Sequence, residues 1–222
     1  VENVWLQQKL LQALPPQAIV IESSTLSPDF ILTLNSAFQQ AQKQWVEAPV
    51  IGTLPQVENG QLNYLLAGPQ ERCESLSDVL APQANRQDYV GDYGNAARLK
   101  LAVNSLLAVQ VAALSEILSG LETQGISRSS ALEVLNRMAT ASPAAQGMGK
   151  LMELHQHRPL FPIALVEKDM GYAKAIFNPE GAILPATHAL FERAVKAGFG
   201  HDNISGLIQL FSAEARTNAS KT

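Results

Sequence analysis

Apolar positions along this chain follow two regimes that change near residue 92. Before that point, short β-branched and aromatic runs alternate with amphipathic stretches; after it, apolar residues recur only at helical spacing. Residues 3–13 predict an amphipathic helix ended by Pro15 and Pro16, which cannot continue it. Ala18 to Glu22 is a β-branched run suited to a buried strand. Ser27 and Pro28 supply an N-cap and an N1 proline for a helix reaching about Gln44. Trp45 to Val50, Gln61 to Ala67 and Arg86 to Val90 predict three further strands, with a helix around Glu71–Leu80 between the last two. Strand and helix in alternation imply an α/β layer over residues 1–92.

Residues 93–222 contain no convincing strand. Helical spacing holds from 94 to about 124, long enough for a helix of roughly 45 Å at about 1.5 Å per residue. Gly125 stands in C-cap position and Ser127 caps a following helix to about Met138. Further helices are expected near 143–154, 163–177, 183–197 and 202–214, with a small polar tail after Ala215 that frays. The fold class is therefore α/β followed by all-α, joined by the long helix.

Composition narrows the function classes. Of 222 residues, 46% are hydrophobic, enough to fill a real core, and only 16% are charged, which implies that a partner subunit covers some apolar surface. The formal net charge of −4 supplies no basic stripe for phosphate contacts, so no nucleic acid is expected. Cys73 is the single cysteine, which excludes an internal disulfide framework and fits a reducing compartment. No uninterrupted apolar run reaches about 18 residues and no basic n-region precedes an h-region, so neither membrane span nor signal peptide is expected. A cytoplasmic location follows as the expectation.

The densest chemistry lies between Gly94 and Asn104 (GNAARLKLAVN). Lys100 and Asn104 are four residues apart, which stacks an ammonium and a carboxamide on one helix face. Apolar neighbours Leu99, Leu101, Val103, Leu106 and Leu107 imply a buried helix, where desolvation lowers a lysine pKa towards the range useful for proton transfer. Taken alone, the pair reads equally as a lysine snorkelling from a core helix.

Three other segments change that balance. The run from Glu47 to Gly68 (EAPVIGTLPQVENGQLNYLLAG), the Glu167–Met170 segment (EKDM) and Gly198–Ser205 (GFGHDNIS) flank the lysine helix in a familiar order. Together they resemble the β-hydroxyacid dehydrogenase family, which includes 3-hydroxyisobutyrate dehydrogenases, tartronate semialdehyde reductases and glyoxylate/succinic semialdehyde reductases. The family's patterns are D-A-P-V-S-G-G for a substrate loop, G-x-G-x-x-x-K-x-x-N-N for the catalytic helix, a later K-D pair and a closing G-x-G-x-x-D-x-S. The resemblance covers nearly all of the chain. It implies the C-terminal part of a Rossmann-like nucleotide-binding domain, a long helix and an all-helical dimerisation domain. It also implies an NAD- or NADP-dependent oxidoreductase acting on a small hydroxy acid, semialdehyde or related carbonyl compound, as a homodimer or higher homo-oligomer.

Carried over residue by residue, the resemblance makes Lys100 the acid/base and Asn104 the donor that orients the reacting oxygen. Ile51, Gly52 and Thr53 fall on the substrate loop, and Thr25 and Lys168 fall at cofactor-contacting positions, with Asp169 completing the K-D pair. A turn threonine and a surface ion pair are the ordinary readings of Thr25 and Lys168. Several positions depart from the pattern. The loop serine is Ile51 and its second glycine Thr53; Gly94 is kept, but the helix's second glycine is Ala96 and its first asparagine Val103. Isoleucine donates no hydrogen bond, while Thr53 could donate through its hydroxyl. These changes imply a bulkier or less acidic carbonyl substrate.

No G-x-G-x-x-G follows a strand in this sequence; Gly198 and Gly200 follow an amphipathic stretch and read as a helix C-cap. By the resemblance, roughly the first third of the Rossmann-containing polypeptide is absent, and the chain alone would bind little dinucleotide. The acidic or basic residue that selects NAD or NADP would lie in that part. Two rival readings follow: a catalytically inactive member serving as a dimeric binding or scaffold protein, and an imine-reducing relative, against which the retention of Lys100 argues. His155 and His157 lack a third ligand, so no metal is expected. Phe161 and Phe199 are expected in the core or a dimer interface, and Cys73, with no activating histidine, is read as structural.

Overall fold

The computed structural model describes residues 1, 3–7, 10–177 and 180–212. It divides into two compact units, with the division after Ala102. The tail beyond Ala215 and the end of the expected helix 202–214 lie outside the described residues.

In the first unit, a π-turn at Asn3–Gln7 and helix α1 (Leu10–Ala13) stand in the expected N-terminal helical region; residues 8 and 9 lie outside the described ones. Strand β1 (Ile19–Glu22) runs parallel to β2 (Gln44–Glu47), in register from Ile19–Gln44 to Glu22–Glu47. Between them lies α2 (Pro28–Gln40), whose N-cap Ser27 accepts the Phe30 N–H at 3.3 Å. The strand expected over residues 45–50 is broken: Pro49 has no N–H for a ladder, and after it β3 (Val50–Ile51) pairs antiparallel with β4 (Leu62–Leu66). A short helix α3 (Leu54–Glu58) fills the β3–β4 connection. The helix expected over 71–80 is likewise two pieces, α4 (Gln70–Ser75) and α5 (Ser77–Leu80), meeting at Leu76. Strand β5 (Ala84–Tyr89) then runs parallel to β4.

Side-chain alternation along β2 splits the core between the two faces. Trp45 joins Val20, Ile31, Leu34 and Phe38 from α2, while Val46 joins Leu62, Tyr64, Leu66 and Cys73, Leu76 and Leu80 from α4 and α5. Aromatic rings reinforce the α2 face: Phe38 lies 5.5 Å from Trp5 and 5.2 Å from Trp45, and Trp45 stacks on Tyr93 at 4.4 Å and 5°. The Tyr93 hydroxyl donates to the Trp45 carbonyl at 2.7 Å, and burial pushes its pKa up to about 12. Cys73 is free and buried, and burial raises its pKa.

Helix α6 (Asn95–Thr123) leaves the first unit and becomes the spine of the second. It ends before Gly125, whose φ of +83° makes the left-handed C-cap expected of it. By length and composition alone α6 is apolar enough to cross a membrane, although polar residues interrupt its apolar run. In this structure, however, Ala108, Val111, Ala112 and Leu118 are buried in the helical core. Around them pack α7 (Arg128–Leu135), α8 (Pro143–Glu153), α9 (Ile163–Ile176) and α10 (Ile183–Ala194), close to the expected boundaries. Serines 127 and 142 cap α7 and α8 by accepting the Ser130 and Ala145 N–H groups. Gly198, at φ +93°, stands in the π-turn that follows α10, and a 3₁₀ turn at Ile204–Leu207 follows it. Phe161 and Phe199 pack against this core.

Candidate functional site

The lysine helix begins with a device that local sequence does not disclose. Glu47, at the end of β2, is 1% exposed, and its two carboxylate oxygens accept the Gly94 N–H at 2.6 Å and the Ala97 N–H at 2.5 Å. One side chain thus satisfies two of the backbone donors that a helix start leaves orphaned, and puts negative charge at the positive end of the helix dipole. Burial raises the Glu47 pKa, opposed by these two N–H groups and by Arg98. Gly94 takes φ +90°, a left-handed conformation that glycine adopts without strain. Glu47 opens the 47–53 segment, so that segment and the start of α6 are tied by hydrogen bonds within the first unit.

On α6, Ala96 and Lys100 are one turn apart on the same face and both are buried. Asn104, one turn further on, belongs to the second unit, where its Nδ2 donates to Asp169 Oδ2 at 2.7 Å. An ionised carboxylate only accepts, so this contact fixes the amide with its nitrogen towards Asp169. The contact orients the Asn104 carboxamide through one N–H of Nδ2. Asp169 is 3% exposed and its Oδ1 lies 3.1 Å from the Lys168 ammonium. Lys168, with its side chain 37% exposed, also sits 5.4 Å over the Tyr172 ring. Asn104, Asp169 and Lys168 therefore form one connected group.

The 49–53 turn corrects one expectation. Thr53 does not hold its hydroxyl ready for a substrate: Oγ1 donates to Gln56 Oε1 at 2.7 Å, and the Thr53 N–H donates to the same oxygen at 2.9 Å. Because a backbone N–H can only donate, the Gln56 amide must present its oxygen here. Thr53 is the N-cap of α3 and Gln56 its N3 residue, a capping box that consumes both donors. The spacing T53-L-P-Q56 is the sequence signal that could have disclosed it. Gly52 adopts φ +150°, and a Cβ there would lie 2.7 Å from the Leu62 Cδ2. Ile51 packs with Val90 against the cluster of Leu65, Ala67 and Ala96. Two departures from the family pattern, Ile51 and Ala96, thus meet in one apolar cluster.

Thr25 is half-buried beyond the carboxyl end of the parallel strand β1, where Glu22 Oε1 accepts the Ser24 N–H and Glu22 Oε2 accepts from Trp5 Nε1. The first unit thus holds Thr25, Ile51, Gly52, Thr53 and Lys100, and the second holds Asn104, Lys168 and Asp169.

Sequence reading also passed over two buried networks in the helical unit. His188 is 4% exposed; its Nδ1 lies 2.9 Å from Lys174 Nζ and its Nε2 3.0 Å from Glu167 Oε1. A lysine ammonium only donates, so the ring carries its proton on Nε2. Glu192 approaches Nδ1 at 3.8 Å. Glu167, His188 and Glu192 come close enough to suggest a metal ligand set, but Glu167 faces one ring nitrogen, Glu192 the other, and Lys174 occupies Nδ1. The second network centres on Asn203, at the aspartate position of the closing pattern. Its Oδ1 accepts the Leu160 and Phe161 N–H groups while its Nδ2 donates to Ser205 Oγ. His157 Nδ1 meets the same Ser205 Oγ at 3.1 Å, and burial lowers the His157 pKa.

Comparison with known proteins places these features in a family. Residues 94–211 match a family profile described as the NAD-binding domain of NADP-dependent 3-hydroxyisobutyrate dehydrogenase, and residues 1–91 one described as the NAD-binding domain of 6-phosphogluconate dehydrogenase. Glyoxylate/succinic semialdehyde reductase 1 of Arabidopsis thaliana is 30% identical over 192 residues, covering 85% of this chain and 66% of that protein. The mitochondrial 3-hydroxyisobutyrate dehydrogenase of Drosophila melanogaster is 24% identical over 206 residues, covering 88% and 64%. The chain therefore spans just under two thirds of the length of these relatives. The crystal structure of a 3-hydroxyisobutyrate dehydrogenase from Salmonella typhimurium superposes with a TM-score of 0.85 at 20% identity, over 94% of this chain and 74% of that one, and so shares the fold.

Proposed function

The chain belongs to the β-hydroxyacid dehydrogenase family, and from that premise we propose that it is the catalytic and helical part of an NAD(P)-dependent oxidoreductase that reduces a small carbonyl compound to the alcohol. The observation that carries this reading is the buried Lys100 of α6 in the first unit, and in the second unit Asn104 is held by Asp169. When bound, NAD(P)H supplies the hydride to the carbonyl carbon and is oxidised to NAD(P)⁺. Lys100 delivers a proton to the developing alkoxide, and the role that the family pattern gives Asn104 is to donate to that oxygen and orient it. Asp169 fixes Asn104 and, with Tyr172, holds Lys168.

The residues present suit the nicotinamide end of the cofactor. Thr25 stands beyond the carboxyl end of a parallel strand, where ligands of open α/β sheets bind.

The helical unit also supports a homodimer. Val103, Leu106, Ala113 and Ile117, with Gln110 between them, follow a three-four spacing as a seam along one face of α6, and Leu106 and Ile117 are 64% and 50% exposed. Beside the seam lies an apolar pocket of about 200 Å³ lined by Leu114, Ile117, Leu135 and Ala141. A second copy of the seam would cover this surface. Light scattering of the full-length protein should give twice the monomer mass, and Leu106→Glu should reduce it to that of a monomer.

The activity is tested by following NADH and NADPH oxidation by the full-length protein over a panel of small aldehydes, ketones and semialdehydes. Turnover of at least one with either nucleotide is expected. Nucleotide binding without any turnover across the panel would instead assign an inactive member of the family.

A further inference from the structure

We infer that the 49–56 turn selects substrates carrying an uncharged, apolar group at the end that faces Ile51, and that Gln56 is the positioning residue that sets this preference by withholding the donors of Thr53. The inference rests on the oxidoreductase reading above and goes beyond it in naming the substrate class.

The turn stands next to the proton chemistry. Ile51 packs against the cluster that contains Ala96, and Ala96 lies one turn before Lys100 on the same face of α6, all within the first unit. A substrate whose carbonyl meets Lys100 therefore has its neighbouring atoms close to this turn. A carboxylate there needs donors, because an unpaired anion at a partly buried surface forfeits its hydration. The turn offers few. The Ile51 side chain has no polar atom, and Pro49 has no N–H. The Thr53 N–H and hydroxyl both end on Gln56 Oε1, at 2.9 and 2.7 Å. Gln56 Oε1 is itself an acceptor, which repels a carboxylate brought against it.

The shape of the turn makes this arrangement stable. Gly52 sits at φ +150°, with Leu62 and Gln56 against the position of a side chain. The capping box closes the next element, α3, on its own side chains. Ile51 is half-buried against the buried cluster of Leu65, Ala67 and Ala96, so the part of its side chain left open is hydrocarbon, and a hydrocarbon chain is the group that gains most from covering it.

The test compares butanal with its carboxylated counterpart of equal length, 4-oxobutanoate (succinic semialdehyde), in the full-length protein with its preferred nucleotide. We expect kcat/KM for butanal to exceed that for 4-oxobutanoate by about tenfold or more, carried mainly by KM, as the loss of uniform binding requires. Ile51→Ser should shrink the ratio by about tenfold while Ile51→Val, which adds no donor, leaves it in place. Gln56→Ala, which frees the Thr53 hydroxyl and amide, should lower KM for 4-oxobutanoate and shrink the ratio. Gln56→Glu, which retains an acceptor and adds a negative charge, should hold the ratio at or above that of the parent. A parent enzyme that prefers 4-oxobutanoate, or a ratio that neither Ile51→Ser nor Gln56→Ala moves, overturns this inference and leaves the oxidoreductase reading intact. Turnover of no compound in the carbonyl panel overturns both.

Discussion

The 49–56 turn and the polar face of α6 carry similar hydrogen-bonding groups and deploy them in opposite ways. On α6, the carboxamide of Asn104 is held from outside by Asp169, which takes one N–H. In the turn, both donors of Thr53 point back into the same segment and end on Gln56. The first arrangement orients a group for use, and the second retires one. Support from a separate element preserves chemistry, whereas local self-capping removes it. A chain can therefore keep its proton donor and its orienting amide while changing what it recognises.

The largest expected effect breaks the α6 side. Lys100→Ala should lower kcat by about 10²- to 10⁴-fold, the range for loss of a positioned acid, with little change in nucleotide affinity by fluorescence titration. Next comes its support. Asp169→Ala removes the group that fixes Asn104 and should lower kcat by about ten- to a hundredfold, whereas Asp169→Asn, which keeps an acceptor, should lose less; stopped-flow single turnovers distinguish them. A third change separates stability from chemistry. Glu47→Ala strips the acceptor from the Gly94 and Ala97 N–H groups and should destabilise the first unit by about 2 kcal/mol in urea unfolding. Glu47→Gln, with one acceptor retained, should cost less.

The smallest effect is a pH dependence in the helical unit. Burial depresses the His157 pKa below its usual 6.5, with one ring nitrogen on Ser205 and the other buried without a partner. A folded state that binds this proton less tightly than the unfolded chain contributes stability that is complete above pH 6.5 and is lost as pH falls through the depressed value. Tm should therefore drop between pH 6.5 and the acid side of that window, and His157→Gln should flatten this part of the curve.

How much of this was legible in the sequence depended on the range of the interaction. Helical periodicity placed α6 and stacked Lys100 under Asn104, because both depend on spacing alone. Gly125 and Ser127 marked real helix ends for the same reason. Contacts between residues distant in sequence were invisible: nothing local couples Glu47 to Gly94, or Asn104 to Asp169. Pro49 and the T53-L-P-Q56 spacing were local signals that were readable but outweighed by the apolar run around them, so one strand was expected where two short ones stand. His188 escaped because its partners, Glu167, Lys174 and Glu192, come from two helices whose pairing the sequence does not state.

The measurement that bears most directly on the account sets both regions in one assay: kcat/KM for butanal and for 4-oxobutanoate in the parent protein and in Lys100→Ala. If Lys100 supplies the proton and the turn sets recognition, Lys100→Ala loses both activities by the same factor and the ratio between them stays that of the parent. A Lys100→Ala protein within about tenfold of the parent on either compound would contradict the role assigned to the lysine.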